Sequence, residues 1–141
     1  MIIVDVNVLL YAVNSRMPQH TSAREWMEEA LSGSEAVGFA WIVLLAFVRL
    51  ATRPAIFPTP LEPGTALDLI DDWLAARPAR VVHPTLRHAT LLRGLLESAG
   101  TAGNLVSDAH LAALAIEYGA RICSFDRDFL RFRGVKAFVP A

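Results

Sequence analysis

The chain is nearly devoid of lysine and of cysteine: Lys136 and Cys123 are the single examples among 141 residues. One cysteine excludes an internal disulfide and a cysteine-rich zinc site. Its setting, Arg121-Ile122-Cys123-Ser124-Phe125, reads as a buried strand position. Excess positive charge is missing too, since the net charge is −1. That balance argues against a protein that coats nucleic acid, though not against an enzyme with a local site. The cations are nearly all arginine, which suits bidentate contact with phosphate or with a partner's carboxylate, and stacking on flat groups. No apolar run reaches the ~18 residues of a membrane span. The start, Met1-Ile2-Ile3-Val4-Asp5, has no basic region and puts a carboxylate where a signal peptide is apolar. The expectation is a soluble, cytoplasmic protein. No repeat, low-complexity tract or linker divides residues 1–141, so they read as one domain.

What is present alternates. Ile2 to Val4 is a β-branched run suited to a buried strand of a parallel sheet. Asn7 is placed to cap a helix from Val8 to Val13. Thr21 to Leu31 has helical spacing, Ala36 to Ala40 is a second strand, and Ile42 to Thr52 is a helix apolar nearly all round. Such a helix belongs in the core or in a subunit interface. Half of the eight prolines fall between Pro54 and Pro63, which marks an ordered loop. Thr65 to Ala76 is amphipathic, with Asp68, Asp71 and Asp72 on the wet side. Arg80 to His83 is a third strand and Thr85 to Ala99 a helix. Gly100 to Gly103 is a flexible link, and Asn104 to Tyr118 a helix. Arg121 to Phe125 is a fourth strand, and Lys136 to Val139 adds an edge strand. This alternation predicts an α/β fold with a central parallel sheet of four to five strands and helices on both faces.

Sites in such sheets form beyond the carboxyl ends of the strands. Asp5 stands at that end of the first strand and is the only charge between Ile2 and Val13. Asp126 and Asp128 follow the apolar run Ile122 to Phe125. Asp108 opens a helix that is otherwise almost wholly apolar to Ile116. A carboxylate among such neighbours is costly to desolvate unless paired or bound to a cation, and few basic residues lie near Asp5 or Asp108 in sequence. Hard oxygen donors favour Mg²⁺, with Mn²⁺ as a substitute. Such an ion can polarise a phosphate and activate a water. Each residue also has a purely structural reading. Asp5 can cap the following helix. Asp108 can complement the helix dipole, although Ser107 and Asn104 are available as caps. Asp126 and Asp128 can be turn residues before Phe129. The joint pattern outweighs each of these.

Three segments carry a resemblance: Ile2-Ile3-Val4-Asp5-Val6-Asn7-Val8-Leu9-Leu10, the run from Asn104 to Ala115 around Ser107-Asp108-Ala109-His110, and Ser124-Phe125-Asp126-Arg127-Asp128-Phe129. In order and spacing they resemble the PIN-domain family, and within it the VapC toxins of bacterial toxin–antitoxin pairs. The resemblance implies a three-layer α/β/α domain, a Mg²⁺-dependent endoribonuclease acting on RNA (tRNA or rRNA), a homodimer, and a cognate VapB-like antitoxin that covers the site. It makes Asp5 and Asp108 the main metal ligands, with Asp126 completing the cluster directly or through water and Asp128 assisting. Asn7 and Ser124 match polar positions that support the cluster or hold a phosphate. One departure stands out. Many PIN domains have a glutamate three residues before an arginine on the helix after the second strand; here the arginine is Arg49 and the matching position is Ala46. Either Asp128 compensates, or one metal is held more loosely, or activity is weak. Glu35 is badly placed to substitute.

Arg49 can reach a phosphate or pair with an acid. Arg127, Arg131 and Arg133 read as a solvated surface or as RNA backbone contacts. His20, His83, His88 and His110 show no ligand spacing, and His110 should point away from Asp108. Trp26, Trp41 and Trp73 suit core or dimer packing. A haloacid-dehalogenase-type phosphotransferase also places an aspartate after its first strand, but needs an acid where this chain has Asn7. A binding module that has lost catalysis is the other alternative, with Ala46 in its favour.

Overall fold

The computed structural model describes residues 1–55, 57–100 and 105–141. Ile2–Val4 forms β1, buried at all three positions, as a strand covered on both faces must be. The chain turns at Asp5 into α1 (Val6–Val13), then α2 (His20–Ser32) and β2 (Val37–Ala40). The apolar segment Trp41–Ala51 is α3, followed after the proline-rich loop by α4 (Pro63–Ala75) and β3 (Ala79–Val82). Pro63 sits in the first turn of α4, where its missing N–H costs nothing. Phe57 plugs the preceding loop into the core at 5% exposure. Next come α5 (His88–Ala99), α6 (Val106–Glu117), β4 (Arg121–Cys123), a 3₁₀ turn (Arg127–Arg131) and β5 (Ala137–Phe138).

All strand pairs are parallel, in the order β3-β2-β1-β4-β5. Successive crossovers run outward from β1 to β2 and β3; the chain then returns past them to β4. With right-handed crossovers, this reversal puts α1 to α4 on one face and α5 and α6 on the other. Packing agrees, since α1 lies on α2 and α3, α3 on α4, and α5 on α6. The expected three-layer α/β/α architecture with a five-stranded parallel sheet is therefore present. The order reverses between β1 and β4, and their carboxyl ends open a crevice there.

The core follows the apolar pattern. On α6, Ala109 and Leu111 to Ala115 are buried; on α3, Val43, Leu44, Phe47 and Ala51 are. Phe47 meets Trp73 edge to face, with centroids 4.9 Å apart. Trp26 packs against Phe138 in the same manner. Trp41, Ile42 and Leu45 on the outer side of α3 stay exposed. Gly38 is needed for side-chain space: a Cβ there would lie 3.1 Å from Ile3 Cγ1 and from Val82 Cγ1. Gly100 ends α5 at φ 73, a left-handed value that glycine adopts without strain.

Several boundaries differ from expectation. Asn7 does not cap α1; the helix begins two residues earlier, and Asp5 is the cap, accepting from the Val6 N–H at 2.8 Å. Ser107 does not cap α6, which begins after Leu105 without a side-chain cap. The segment after β3 stays non-helical through Arg87, because Thr85 is drawn to Glu117. β4 ends at Cys123, so Ser124 and Phe125 belong to the loop that carries the acids. The link and helix start expected at 101–104 lie outside the described residues.

Phe47→Ala removes a fully buried ring at the α3–α4 contact. We expect a loss of about 3–5 kcal/mol in unfolding free energy, read by urea denaturation with secondary structure retained.

Candidate active site

Residues 5, 7, 124 and 126 are joined across the β1–β4 switch point by a polar network. The buried Ser124 hydroxyl donates to Asp5 Oδ2 at 2.6 Å and accepts from Asn7 Nδ2 at 3.2 Å and from the Asp126 N–H at 2.9 Å. One donor and two lone pairs are thereby used up. Asn7 also donates to Asp5 Oδ2 at 3.3 Å and accepts from the Phe125 N–H at 3.1 Å. Ser124 and Asn7 thus act as braces, and Ser124 has no proton left for a phosphate. Asp126 Oδ1 accepts from the Asp128 N–H at 2.9 Å and so shapes the 3₁₀ turn.

Asp108, in the first turn of α6, faces this loop, whose 3₁₀ turn packs against α6. One carboxylate oxygen each from Asp108, Asp126 and Asp128 lie within 4.8 Å of one another. Asp5 stands outside that trio, 7% exposed, with its oxygens engaged by Val6, Ser124 and Asn7. It remains close enough to act electrostatically. Burial, then the negative charges of Asp5, Asp126 and Asp128, push the half-buried Asp108 carboxyl up to about 6. Burial likewise raises Asp5, with a further upward push from Asp126, against the hydrogen bonds of Ser124 and Val6. The sole cation paired with the group is Arg131, at 3.7 Å from Asp128 among the described residues. A trio of hard oxygens within 4.8 Å of one another could hold a divalent cation of the kind that takes oxygen donors.

The structure brings together the four carboxylates, Asn7 and Ser124 that the sequence singled out, with Asp128 inside the trio and Asp5 beside it. Ala46, on α3, faces the site across a cavity of about 410 Å³ that is also lined by Asp5, Asp108 and Arg49. Glu35 is indeed remote, paired with Arg121 at 3.1 Å near the amino ends of β1 and β4.

One cluster was missed. Glu117 Oε2 meets His88 Nδ1 at 2.8 Å, and His88 Nε2 meets His110 Nδ1 at 2.8 Å. Thr85 donates to Glu117 through both its N–H and its hydroxyl. Burial opposes ionisation of Glu117, but these hydrogen bonds and His88 outweigh it and lower its carboxyl. Burial and His88 lower His110. The signal available in sequence was the seven-residue interval from His110 to Glu117, two helical turns on one face; His88 comes from another helix and carries no such mark.

A family model described as PIN domain matches residues 2–135. The chain belongs to the PIN-domain family. Within it the chain falls in the VapC type of toxin ribonuclease. It is 55% identical to ribonuclease VapC37 of Mycobacterium tuberculosis over 134 residues, covering 95% of this chain and 93% of the relative. It is 38% identical to ribonuclease VapC33 of the same species, covering 96% and 95%. In shape, this PIN domain is similar to the VapBC2 complex of Rickettsia felis bound to a promoter DNA fragment (TM-score 0.72, 19% identity, covering 99% and 98%). It is also similar to M. tuberculosis VapC20, a sarcin-ricin-loop-cleaving toxin (TM-score 0.69, 21% identity, covering 96% and 99%).

The raised Asp108 of the PIN domain has a pH signature. Without divalent metal, the folded chain holds a proton on Asp108 between its ordinary 3.8 and about 6, where the unfolded chain has released it. Stability therefore falls as pH rises through that window. Asp108→Asn has no such proton, so relative to wild type its Tm should gain as pH passes from about 4 to about 7. Thermal unfolding in chelator measures this, and a pH-independent difference would contradict it.

Proposed function

We propose that this PIN domain is the toxin of a type II toxin–antitoxin pair and hydrolyses the phosphodiester backbone of RNA with Mg²⁺, or Mn²⁺ in its place. The observation that carries the reading is the convergence of Asp108 on α6 with Asp126 and Asp128 after β4 at the switch point, with Asp5 behind them. Asp108, Asp126 and Asp128 would hold the ion, with Asp5 as a further ligand or as fixed negative charge at the base of the site. A bound Mg²⁺ supplies Lewis acidity toward a phosphate oxygen and lowers the pKa of water. The chain's own residues supply position. Ser124 and Asn7 hold Asp5 and the Asp126 loop in register, α6 presents Asp108, and Arg49 at the cavity rim is available to a phosphate. Among the described residues no histidine touches the trio, since His110 is engaged with His88. That favours a water activated at the metal over a histidine base.

The same surface gives the partners. Two structures similar to this chain are VapBC2 bound to a DNA fragment from its promoter and FitAB bound to a DNA fragment, which supports a VapB-like antitoxin here. The exposed Trp41 at the start of α3 suits a homodimer contact. Among the described residues no helix is long and apolar enough to cross a membrane, and we place the toxin in the cytoplasm beside its RNA. Ala46 favours a module without catalysis less than the sequence alone implied, because three acids converge without an acid at that position.

The purified protein should cut RNA with Mn²⁺ or Mg²⁺ and stop in excess chelator; undiminished cutting in EDTA would exclude the metal. Asp108→Asn or Asp126→Asn should lower cleavage by about two orders of magnitude or more while the circular dichroism spectrum is unchanged. Asp128→Ala should weaken Mn²⁺ binding about tenfold or more by calorimetry; wild-type affinity would place Asp128 outside the metal site.

A further inference from the structure

The acid trio lies between two cavities. On one side is the space of about 410 Å³ bordered by Asp5 and Asp108, with walls from Ile42, Leu45 and Ala46 and with Arg49 at its rim. On the other is a space of about 200 Å³ bordered by Ser124 and Asp126, with walls from Leu130, Phe138 and Val139 and with Arg127. The two are alike in makeup: carboxylates toward the centre, an apolar wall, and one arginine. Ile42, Leu45, Leu130 and Val139 are all exposed, Leu45 at 62% and Leu130 at 72%. Apolar side chains left in water on both flanks of a charged centre call for a ligand that covers them. Among the described residues neither Arg49 nor Arg127 forms an ion pair.

We propose that these cavities are two base subsites, in which the two nucleotides flanking the scissile phosphate are turned apart, one base into each cavity. This rests on the ribonuclease reading above. The charge pattern chooses the occupant. A nucleotide strand carries an anion every residue and a flat apolar face on each base, so it satisfies the metal-bearing centre, the two arginines and the two apolar walls together. A purely apolar peptide would leave the arginines unmatched. A duplex keeps its bases stacked inside and cannot fill either cavity, whereas a loop or bulge can splay them. Ala46 matters here for its size, because a longer side chain at that position would project into the larger cavity.

The test starts from bulk transfer and ribosomal RNA digested by wild type with Mn²⁺, with the new ends mapped. Cuts are expected between unpaired nucleotides; cuts within paired stretches would overturn the proposal. An oligonucleotide carrying a mapped site is then made with an abasic residue on either side of the scissile bond. Each abasic change should lower wild-type kcat/KM about tenfold. Leu45→Ser and Leu130→Ser alter exposed side chains and should fold normally. Each should lose its sensitivity to one abasic position and keep it for the other, with Mn²⁺ affinity unchanged. Equal sensitivity of both variants to both positions would overturn the subsites, as would wild-type cleavage by both on the intact RNA, which would instead mark the apolar rims as a protein contact. Ala46→Phe should reduce cleavage without weakening Mn²⁺ binding. Absence of any metal-dependent cleavage by wild type would remove the ribonuclease reading itself, and with it this proposal.

Discussion

Four carboxylates meet where the order of the sheet reverses, and among the described residues only Arg131, at the outer edge of Asp128, brings them positive charge. Left to itself such a group would spread apart or take up protons, and Asp108 shows the second response. The remaining features of the site keep the group together. Ser124 and Asn7 tie the end of β1 to the loop after β4, and Asp126 in turn forms the turn that presents Asp128. The brace of Ser124 and Asn7 therefore works against the mutual repulsion of the acids.

Asp108 needs its own anchor, because it belongs to α6 and the other acids do not. The buried alanine and leucine side of α6 seats it on the sheet, and the chain Glu117–His88–His110 fastens it to α5. Thr85 and Tyr118 extend that fastening to the end of β3. The histidines thus serve the site from a distance by holding the helix that carries Asp108.

Position 46 changes two things together. An alanine there subtracts a negative charge from a centre already under repulsion, and it opens space next to Asp5 and Asp108. A site with fewer acids on the α3 side and an apolar-walled cavity in their place differs in substrate fit as well as in metal demand. The exposed side chains of Ile42 and Leu45 belong to the same surface, so α3 contributes core packing on one side and a contact surface on the other.

Much of this was legible in residue order. Alternating apolar strands and helices implied the parallel sheet, the isolated charge at Asp5 marked a strand end, and Asp126 and Asp128 marked another. These are local signals, set by backbone periodicity and by the cost of desolvating a carboxylate. The exact helix starts were not legible, because Asp5 and Asn7 are equally good caps by type and only the Ser124 contact decides between them. Nor was the ranking of the acids, the role of His88 and His110, or the pair of cavities. Each depends on distances between groups far apart in the chain, such as the 119 residues separating Asp5 from Ser124. Residue type determined which groups are able to bind a cation; the meeting of α6 with the loop after β4 at the sheet reversal decided which of them lie together.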